Sequence, residues 1–448
     1  MLRARPLLSL LLSLAALAAT PAAAQEDAVL PDVPPELTGD MLRVGPVVGH
    51  VDADHALLWA RALGTRTVDV TLDDQRRTLA FEPLGRGFGV IRLDGLRPER
   101  PYQVRVELPG APAPTEVRFR TAPPARSWGR VRFGVGSCAA DAQQPIWKQV
   151  AAADLDLFVW VGDNTYYRSR ERGPDWSRIE WMLERQLDAR GHALQAMQGM
   201  ACYATWDDHD YGPNNSDRHF ALRAEARLVH RYMWANPGYG QGGEGVYFTF
   251  RRGPVAFFVL DGRSFKDVRP DLPADERQLY GPAQLAWLRR ELAASDAPLK
   301  VIACGVQQLL GYGPAEGWHQ ALAERVRFLD WLEGAEVGPL LFLSGDIHVS
   351  ELYRVELGAG AAAWELTSSG LARESGVAAL FELAERPERR WIVTRPNFCV
   401  VEVDVPRDPA RLAEATLRFA SVGVDGAVIQ ETRATFASFG AALEQQGF

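Results

Sequence analysis

The sequence predicts an α/β protein, with a layered sheet-and-helix domain over residues 130–448 preceded by a small all-β domain over residues 41–122. Three observations carry this expectation. The earlier segment breaks into short runs of alternating apolar and polar residues bounded by turn residues, the mark of half-buried strands. Beyond residue 130, uninterrupted apolar runs are interleaved with helical patterns, as expected of strands covered on both faces. Those later runs also end abruptly in aspartate, histidine, cysteine and arginine, which places chemistry at strand ends.

The chain opens on MLRARPLLSLLLSLAALAATPAAA, residues 1–24, with Arg3 and Arg5 ahead of a leucine-rich stretch and an Ala22-Ala23-Ala24 end. This is the three-part pattern of a secretory signal peptide, so an exported protein, periplasmic or secreted, is expected. The two arginines are separated by Ala4, which favours general export over a twin-arginine route. No later run approaches the roughly 20 apolar residues of a membrane helix. In residues 41–122 the stretches HALLWARAL, TVDVTLD, GFGVIRLDGL, YQVRVELPG and TEVRFRTAP read as strands, with Val104, Val106 and Leu108 opposite Gln103, Arg105 and Glu107. Their close spacing suggests an immunoglobulin/fibronectin-like sandwich. TAPPARSWG, residues 121–129, reads as the linker.

In the second domain VRFGVGS, LDLFVWVG, MACYATW, LKVIACGVQ and PLLFLSGD read as buried strands, and YFTF with VAFFVLD as a hairpin. Helices are expected over PIWKQVAAA, WSRIEWMLERQLDA and ALRAEARLVHRYMW, with antiparallel strands at WELTSS and FCVVEVDV. The carboxyl-terminal SFGAALEQQGF is weakly helical. A net charge of -8, with no basic run, excludes general or sequence-specific nucleic-acid binding. Four cysteines without a CxxC pair make no disulfide framework, although an oxidising compartment leaves room for one bridge. Cys202 and Cys304 lie inside apolar runs and read as buried hydrophobes.

The strand ends are the informative positions. Gly136-Ser137-Cys138, Gly162-Asp163-Asn164-Thr165-Tyr166, Asp207-Asp208-His209-Asp210, Asp261-Gly262-Arg263 and Gly345-Asp346-Ile347-His348 each follow an apolar run. In open α/β sheets ligands bind beyond the carboxyl ends of the strands, so these five segments can converge on one crevice. Taken alone, TWDDHDYGPNNSD reads as a solvated turn, which explains its glycine, proline and asparagines better than its WDDHD core. Carboxylates so concentrated cannot all ionise without a compensating charge, and a bound cation supplies it. Carboxylates, a thiol, a phenol and a histidine form a ligand set for more than one metal ion. His219, His230 and His319 fall in or near helical stretches and read as surface or structural residues, and Asp210 and Asp217 as supports of the turn.

These segments resemble the PhoD-like alkaline phosphatases of the metallophosphatase superfamily. VGPVVGHVDADHALLWAR resembles the start of that family's amino-terminal domain, and GSC, GDNTYY, WDDHDYGPNNSD, LDGRS and SGDIHVSE resemble its core signatures in order. LDGRS stands where LDTRS is more usual. The resemblance implies a metallophosphatase-type layered domain and hydrolysis of phosphomonoesters, phosphodiesters or both by attack of a metal-activated hydroxide at phosphorus. It implies Asp163 as a bridging carboxylate, Tyr166 as a phenolate ligand, and Cys138 and His348 as further ligands of Fe3+. Asp208 and Asp346 would hold Ca2+, and His209 would assist the leaving oxygen. Arg263 is a candidate phosphate clamp, with an ion pair inside the acidic site as the alternative. Asn164, Asp207 and Gln307 are candidate ligands or supporting donors. A second reading is a calcium-stabilised extracellular binding or adhesion module, which has no use for Cys138 and Tyr166.

Overall fold

The computed structural model describes residues 43–139, 144–166, 176–242, 244–313, 315–372 and 378–441. The signal-peptide pattern and residues 442–448 of the carboxyl-terminal stretch lie outside them. Seven strands form the first sheet: β1 (Arg43–Val51), β2 (His55–Ala62), β3 (Thr67–Leu72), β4 (Gln75–Gly85), β5 (Phe88–Asp94), β6 (Pro101–Glu107) and β7 (Thr115–Arg120). Their order is β1-β2-β5-β4-β3-β6-β7, and every pairing is antiparallel. Strand β4 changes partner midway, its first half lying on β3 and Phe81–Gly85 on β5. The alternation read in β6 is present, with Tyr102, Val104 and Val106 buried.

Two strands exceed those the sequence pattern picks out. β4, QRRTLAFEPLG, buries only Phe81 and so carries almost no apolar alternation. β1, RVGPVVGHV, is interrupted by two glycines and a proline, residues that ordinarily mark turns.

Two further sheets build the rest. The first contains β8 (Arg130–Gly136), β9 (Leu157–Val161), β10 (Ala201–Thr205), β18 (Asn397–Asp404), β19 (Thr416–Gly423) and β20 (Val428–Thr435), in the order β10-β9-β8-β18-β19-β20. The second runs β11-β12-β13-β14-β16-β15-β17. Its members are β11 (Phe248–Arg252), β12 (Val255–Val259), β13 (Leu299–Ala303), β14 (Leu340–Ser344), β15 (Ser350–Gly358), β16 (Ala361–Ser368) and β17 (Arg389–Val393). Strands β8, β9 and β10 are mutually parallel, as are β12, β13 and β14. The antiparallel portion includes β16 on β15 and β18 on β8 and β19, in line with the two carboxyl-terminal runs.

The sheets pack face to face. Phe133, Val135, Leu157 and Val159 share one apolar cluster with Val255, Phe257, Val301 and Leu341, and the rings of Phe133 and Phe257 meet edge to face at 5.2 Å. The outer faces carry helices. On one side α1 (Ile146–Ala152) and α2 (Trp176–Met197) cover Phe158 and Trp160, with Trp147 stacked on Trp160 at 4.6 Å. Two short elements follow β10, namely α3 (Asp208–Tyr211) and α4 (Arg223–Met233). On the other side α5 (Gly281–Ala294) and α6 (Leu322–Gly334) cover Phe258, Ile302 and Phe342; α7 (Ala378–Leu383) lies later. Both strand faces are thus buried, which is why the central runs show no alternation. The amino-terminal sheet is fastened to this core by Trp59 Nε1 donating to the Tyr232 carbonyl at 2.7 Å and Arg252 Nη1 to the Arg120 carbonyl at 2.9 Å. Among the described residues no helix is long and apolar enough to cross a membrane.

One charge inside this core yields a stability prediction. Lys300, on β13, is buried with its Nζ donating to the Ala297 carbonyl at 2.9 Å, and burial, aided by Arg251, lowers its pKa to about 8. The unfolded chain binds the extra proton between about 8 and 10.5, so stability rises with pH across that window. Lys300→Met is therefore expected to stabilise the fold at pH 7 by up to about 3 kcal/mol, less about 1 kcal/mol for the lost hydrogen bond. Denaturant titrations of both proteins check this. The gain should shrink towards pH 10.5, and a gain indifferent to pH would rule out the buried charge as its source.

Candidate metal centre

The polar segments do meet, at the carboxyl ends of parallel strands from both central sheets. Three groups of metal-type donors have ligand atoms within 4.8 Å of one another: Cys138, Asp163 and His348; Asp163, Asp208 and His209; Asp207, Asp208 and Asp346. Asp163 and Asp208 each belong to two groups, so the three are one continuous centre.

Its geometry is held by the main chain. Cys138, Asp163, Asp346 and His348 have φ of 62°, 52°, 73° and 56°, a positive range uncommon for residues other than glycine, though Asn, Asp and His enter it more readily than the rest. Such conformations cluster at functional sites. Glycines let neighbouring strand ends close over Asp207. A Cβ on Gly162 (φ 88°) would come 2.4 Å from Asp207 Cβ, and one on Gly305 2.5 Å from its carboxylate carbon. Asp210 ties the second and third strand ends together, with Oδ1 accepting from the amides of Asn164 (2.9 Å) and Thr165 (3.1 Å) and Oδ2 from that of Asp207 (3.1 Å). It is a support, as the sequence suggests.

Around Asp163, the Tyr166 hydroxyl donates to Oδ2 at 3.0 Å, Cys138 Sγ lies 3.5 Å from Oδ2, and the His209 amide donates to Oδ1 at 3.3 Å. His348 Nε2 is 3.4 Å from the Tyr166 hydroxyl, and the His209 and Tyr166 rings lie 4.3 Å apart. Asp208 accepts from the His209 amide at 2.8 Å and the Asn215 amide at 2.6 Å. The Asn164 side-chain amide donates Nδ2 to the Thr205 carbonyl (2.9 Å) and Asp210 Oδ2 (3.3 Å), which fixes its orientation and leaves Oδ1 buried without a partner. Asp207 Oδ2 and His209 Nδ1 are buried orphans too. Buried polar atoms are seldom left unpaired, and oxygens gathered here suit a cation.

Arg263 and Gln307 contact buried carboxylates. Arg263 is fully buried, and its guanidinium holds Asp207 Oδ1 (2.6 Å from Nε), Glu316 (2.7 Å) and the Ser216 carbonyl (3.2 Å). These contacts fit the ion-pair reading, and Nη2 makes no hydrogen bond. Gln307 Nε2 donates to Glu351 (3.2 Å) and Thr367 (3.0 Å). His230 is buried on α4, whereas His219 pairs with Asp267 at 3.0 Å. All four cysteines are buried and free, so the room left for a disulfide is not used.

Residues unmarked by the sequence reading also take part. Ser369 Oγ lies 3.1 Å from Cys138 Sγ and accepts from the His348 amide at 2.8 Å. The strand-end rule applied to WELTSS would have found it. Glu316 binds both Arg263 and Lys266, and nothing local in its loop marks it.

The electrostatics of the centre favour either bound protons or a cation. Burial first, then the neighbouring carboxylates, hold Asp163 and Asp346 well above the usual carboxylate range. Burial lifts Asp207 to about 7, with Arg263 opposing, and lifts Asp210 to about 7 against its amide donors. Asp208 ends below its ordinary value: burial would raise it, but His209, Arg263, the Asn215 amide and Lys266 outweigh burial. Burial and then Asp163 push the Cys138 thiol well up. Divalent or trivalent positive charge inverts this logic, deprotonating thiol and carboxylates together.

Two packed sheets with such a centre at their strand ends define an α/β protein built to hold metal ions. The chain belongs to the PhoD-like phosphatase family, whose model matches residues 133–404. A domain of unknown function, DUF7800, matches residues 39–125. Alkaline phosphatase D of Bacillus subtilis (strain 168) is 24% identical over 311 residues, covering 58% of this chain and 53% of that protein. The chain thus spans about half the length of this curated relative. Among solved structures, one of PhoD superposes with a TM-score of 0.69 at 18% identity, covering 88% of this chain and 90% of that one. Purple acid phosphatase PPD1 from yellow lupin (Lupinus luteus) superposes with a TM-score of 0.62 at 12% identity, covering 88% and 74%. These two likenesses speak to the fold.

Proposed function

We propose that this chain is an exported, metal-dependent phosphoesterase acting on phosphomonoesters, phosphodiesters or both. One observation carries the reading: a single centre in which Asp163 is shared between the Cys138–His348 group and the Asp208–His209 group. The donor chemistry of the two sides differs. Cys138, Tyr166 and His348 with Asp163 suit Fe3+, whereas Asp208, Asp346, Asp207 Oδ2 and the orphan Asn164 Oδ1 suit a hard cation such as Ca2+. When bound, such a pair supplies a clamp for phosphoryl oxygens and a water made nucleophilic near neutral pH.

The chain's own residues do the rest. The unpaired Nδ1 of His209 and its ring contact with Tyr166 support a role in handing a proton to the leaving oxygen. Arg263 fixes Asp207 and, through Glu316, Lys266, so that the carboxylate presents a constant face. The calcium-module alternative does not use Cys138, which sits in the same ligand group as Asp163. The finer architecture proposed for residues 41–122 is an immunoglobulin/fibronectin-like sandwich, supported by the change of partner along β4. Residues 1–24 would be removed on export.

Elemental analysis and visible absorption of the chain purified without chelator test this function. Stoichiometric iron and calcium with a visible band from thiolate or phenolate on ferric iron are expected, and Cys138→Ser should weaken or shift that band. Calcium alone without colour would return the weight to the binding module, and zinc or manganese would overturn the ferric assignment while keeping the hydrolase.

A further inference from the structure

Away from the strand-end centre, a second set of metal-type donors closes the β1–β2 hairpin. His50, Asp52 and His55 each offer a ligand atom, and these atoms lie within 4.8 Å of one another. The turn is tight: the Asp52 amide donates to the His55 carbonyl at 2.9 Å, and Asp52 Oδ1 accepts from the Ala53 amide at 2.7 Å. That leaves Asp52 Oδ2, which lies 4.0 Å from His50 Nε2. The two imidazole rings are 5.3 Å apart and inclined at 66°.

Both rings are gripped at Nδ1. His50 Nδ1 is 3.1 Å from the Tyr203 hydroxyl, and His55 Nδ1 is 2.7 Å from Asp54 Oδ1. The Tyr203 hydroxyl accepts from the Val51 amide at 3.1 Å and donates to the Val51 carbonyl at 3.4 Å. In the Nδ1–H tautomer of His50 this hydroxyl accepts the Nδ1 proton, and Nε2 keeps its lone pair towards Asp52. An imidazole held through Nδ1–H by a carboxylate or hydroxyl, with Nε2 presented, is how metal-binding histidines are oriented. The site is also open on one side, the Asp52 side chain being 50% exposed and that of His55 18%. Solvent can therefore provide a remaining ligand.

We propose that His50, Asp52 and His55 form a second, structural site for a first-row divalent cation, Zn2+ in the first instance. Two imidazoles and one carboxylate match that class of ion rather than Ca2+ or Mg2+. Bonds of about 2.0–2.1 Å in tetrahedral geometry put ligand atoms about 3.3 Å apart. The 4.0 Å between Asp52 Oδ2 and His50 Nε2 closes with a small turn of the half-exposed Asp52, and the remaining separations, within 4.8 Å, with a turn of the His55 ring.

The position gives the ion its purpose. Tyr203 belongs to β10, is stacked on Phe250 at 3.7 Å, and precedes Asp207 and Asp208 on the same stretch of chain. The Asp52 carbonyl accepts from the Ala122 amide at 3.1 Å, which ties in the segment between β7 and β8. One cation would therefore pin the hairpin, that connecting segment and the core sheet together.

The test titrates Zn2+ into the full chain with its strand-end metals in place, following metal content and thermal unfolding. One extra equivalent of Zn2+ and a rise in Tm are expected. His55→Ala and Asp52→Asn, both at the exposed rim, should each weaken uptake at least about 100-fold and abolish the rise in Tm. Strand-end metal content and turnover should stay unchanged in both. Wild-type protein that takes up no extra Zn2+, that takes it up only in exchange for a strand-end metal, or that binds it no better than the variants would overturn the site.

Discussion

Asp163→Ala is expected to lose metal and turnover together, with kcat/KM down by on the order of 10³-fold or more. The reason lies in its position rather than its charge alone. Asp163 is the carboxylate common to the Cys138–His348 group and the Asp208–His209 group, and it accepts from both the Tyr166 hydroxyl and the His209 amide. Removing it opens both sides of the centre at once. It also takes away the acceptor that orients Tyr166. The check is metal content beside steady-state hydrolysis of a phosphomonoester and a phosphodiester. Near-normal turnover with both metals retained would deny Asp163 its bridging place.

His209→Ala should separate what Asp163→Ala joins. If His209 serves the leaving group, both metals stay and kcat falls by about 10²–10⁴-fold, with the loss smallest for substrates whose leaving group needs no proton. Comparing an activated aryl ester with an alkyl ester reads this directly. His209 also stands in a donor group with Asp163 and Asp208. Loss of one metal in the variant, with equal loss on both esters, would make it a ligand instead.

Much of this centre was legible because strand ends in a layered α/β fold are places of fixed meaning. Cys138, Asp163, Asp207, Asp208, Asp346 and His348 each follow a buried strand within a few residues, and apolar runs are easy to see. What was hidden depends on tertiary approach. Glu316 acts only because Arg263 and Lys266 arrive from another segment, and its own surroundings resemble any loop. The Asn215 amide reaches Asp208 from seven residues on, a contact that no side-chain pattern records. Arg263 has two readings in the sequence, and only its tertiary partners, Asp207 and Glu316, bring out the ion pair. In the amino-terminal sheet, β4 was invisible for the opposite reason: a strand that buries one side chain writes no period into the sequence.

The left-handed backbone at Cys138, Asp163, Asp346 and His348 has an evolutionary consequence. Asp and His enter this region more readily than most residues, so Cys138 carries the largest cost of the four, of order 1 kcal/mol or more. The two central sheets carry that load for the sake of the centre. Selection for stability alone would relieve it first, by replacing Cys138 or His348 with glycine or asparagine, and the scaffold would become sturdier as it lost its metal.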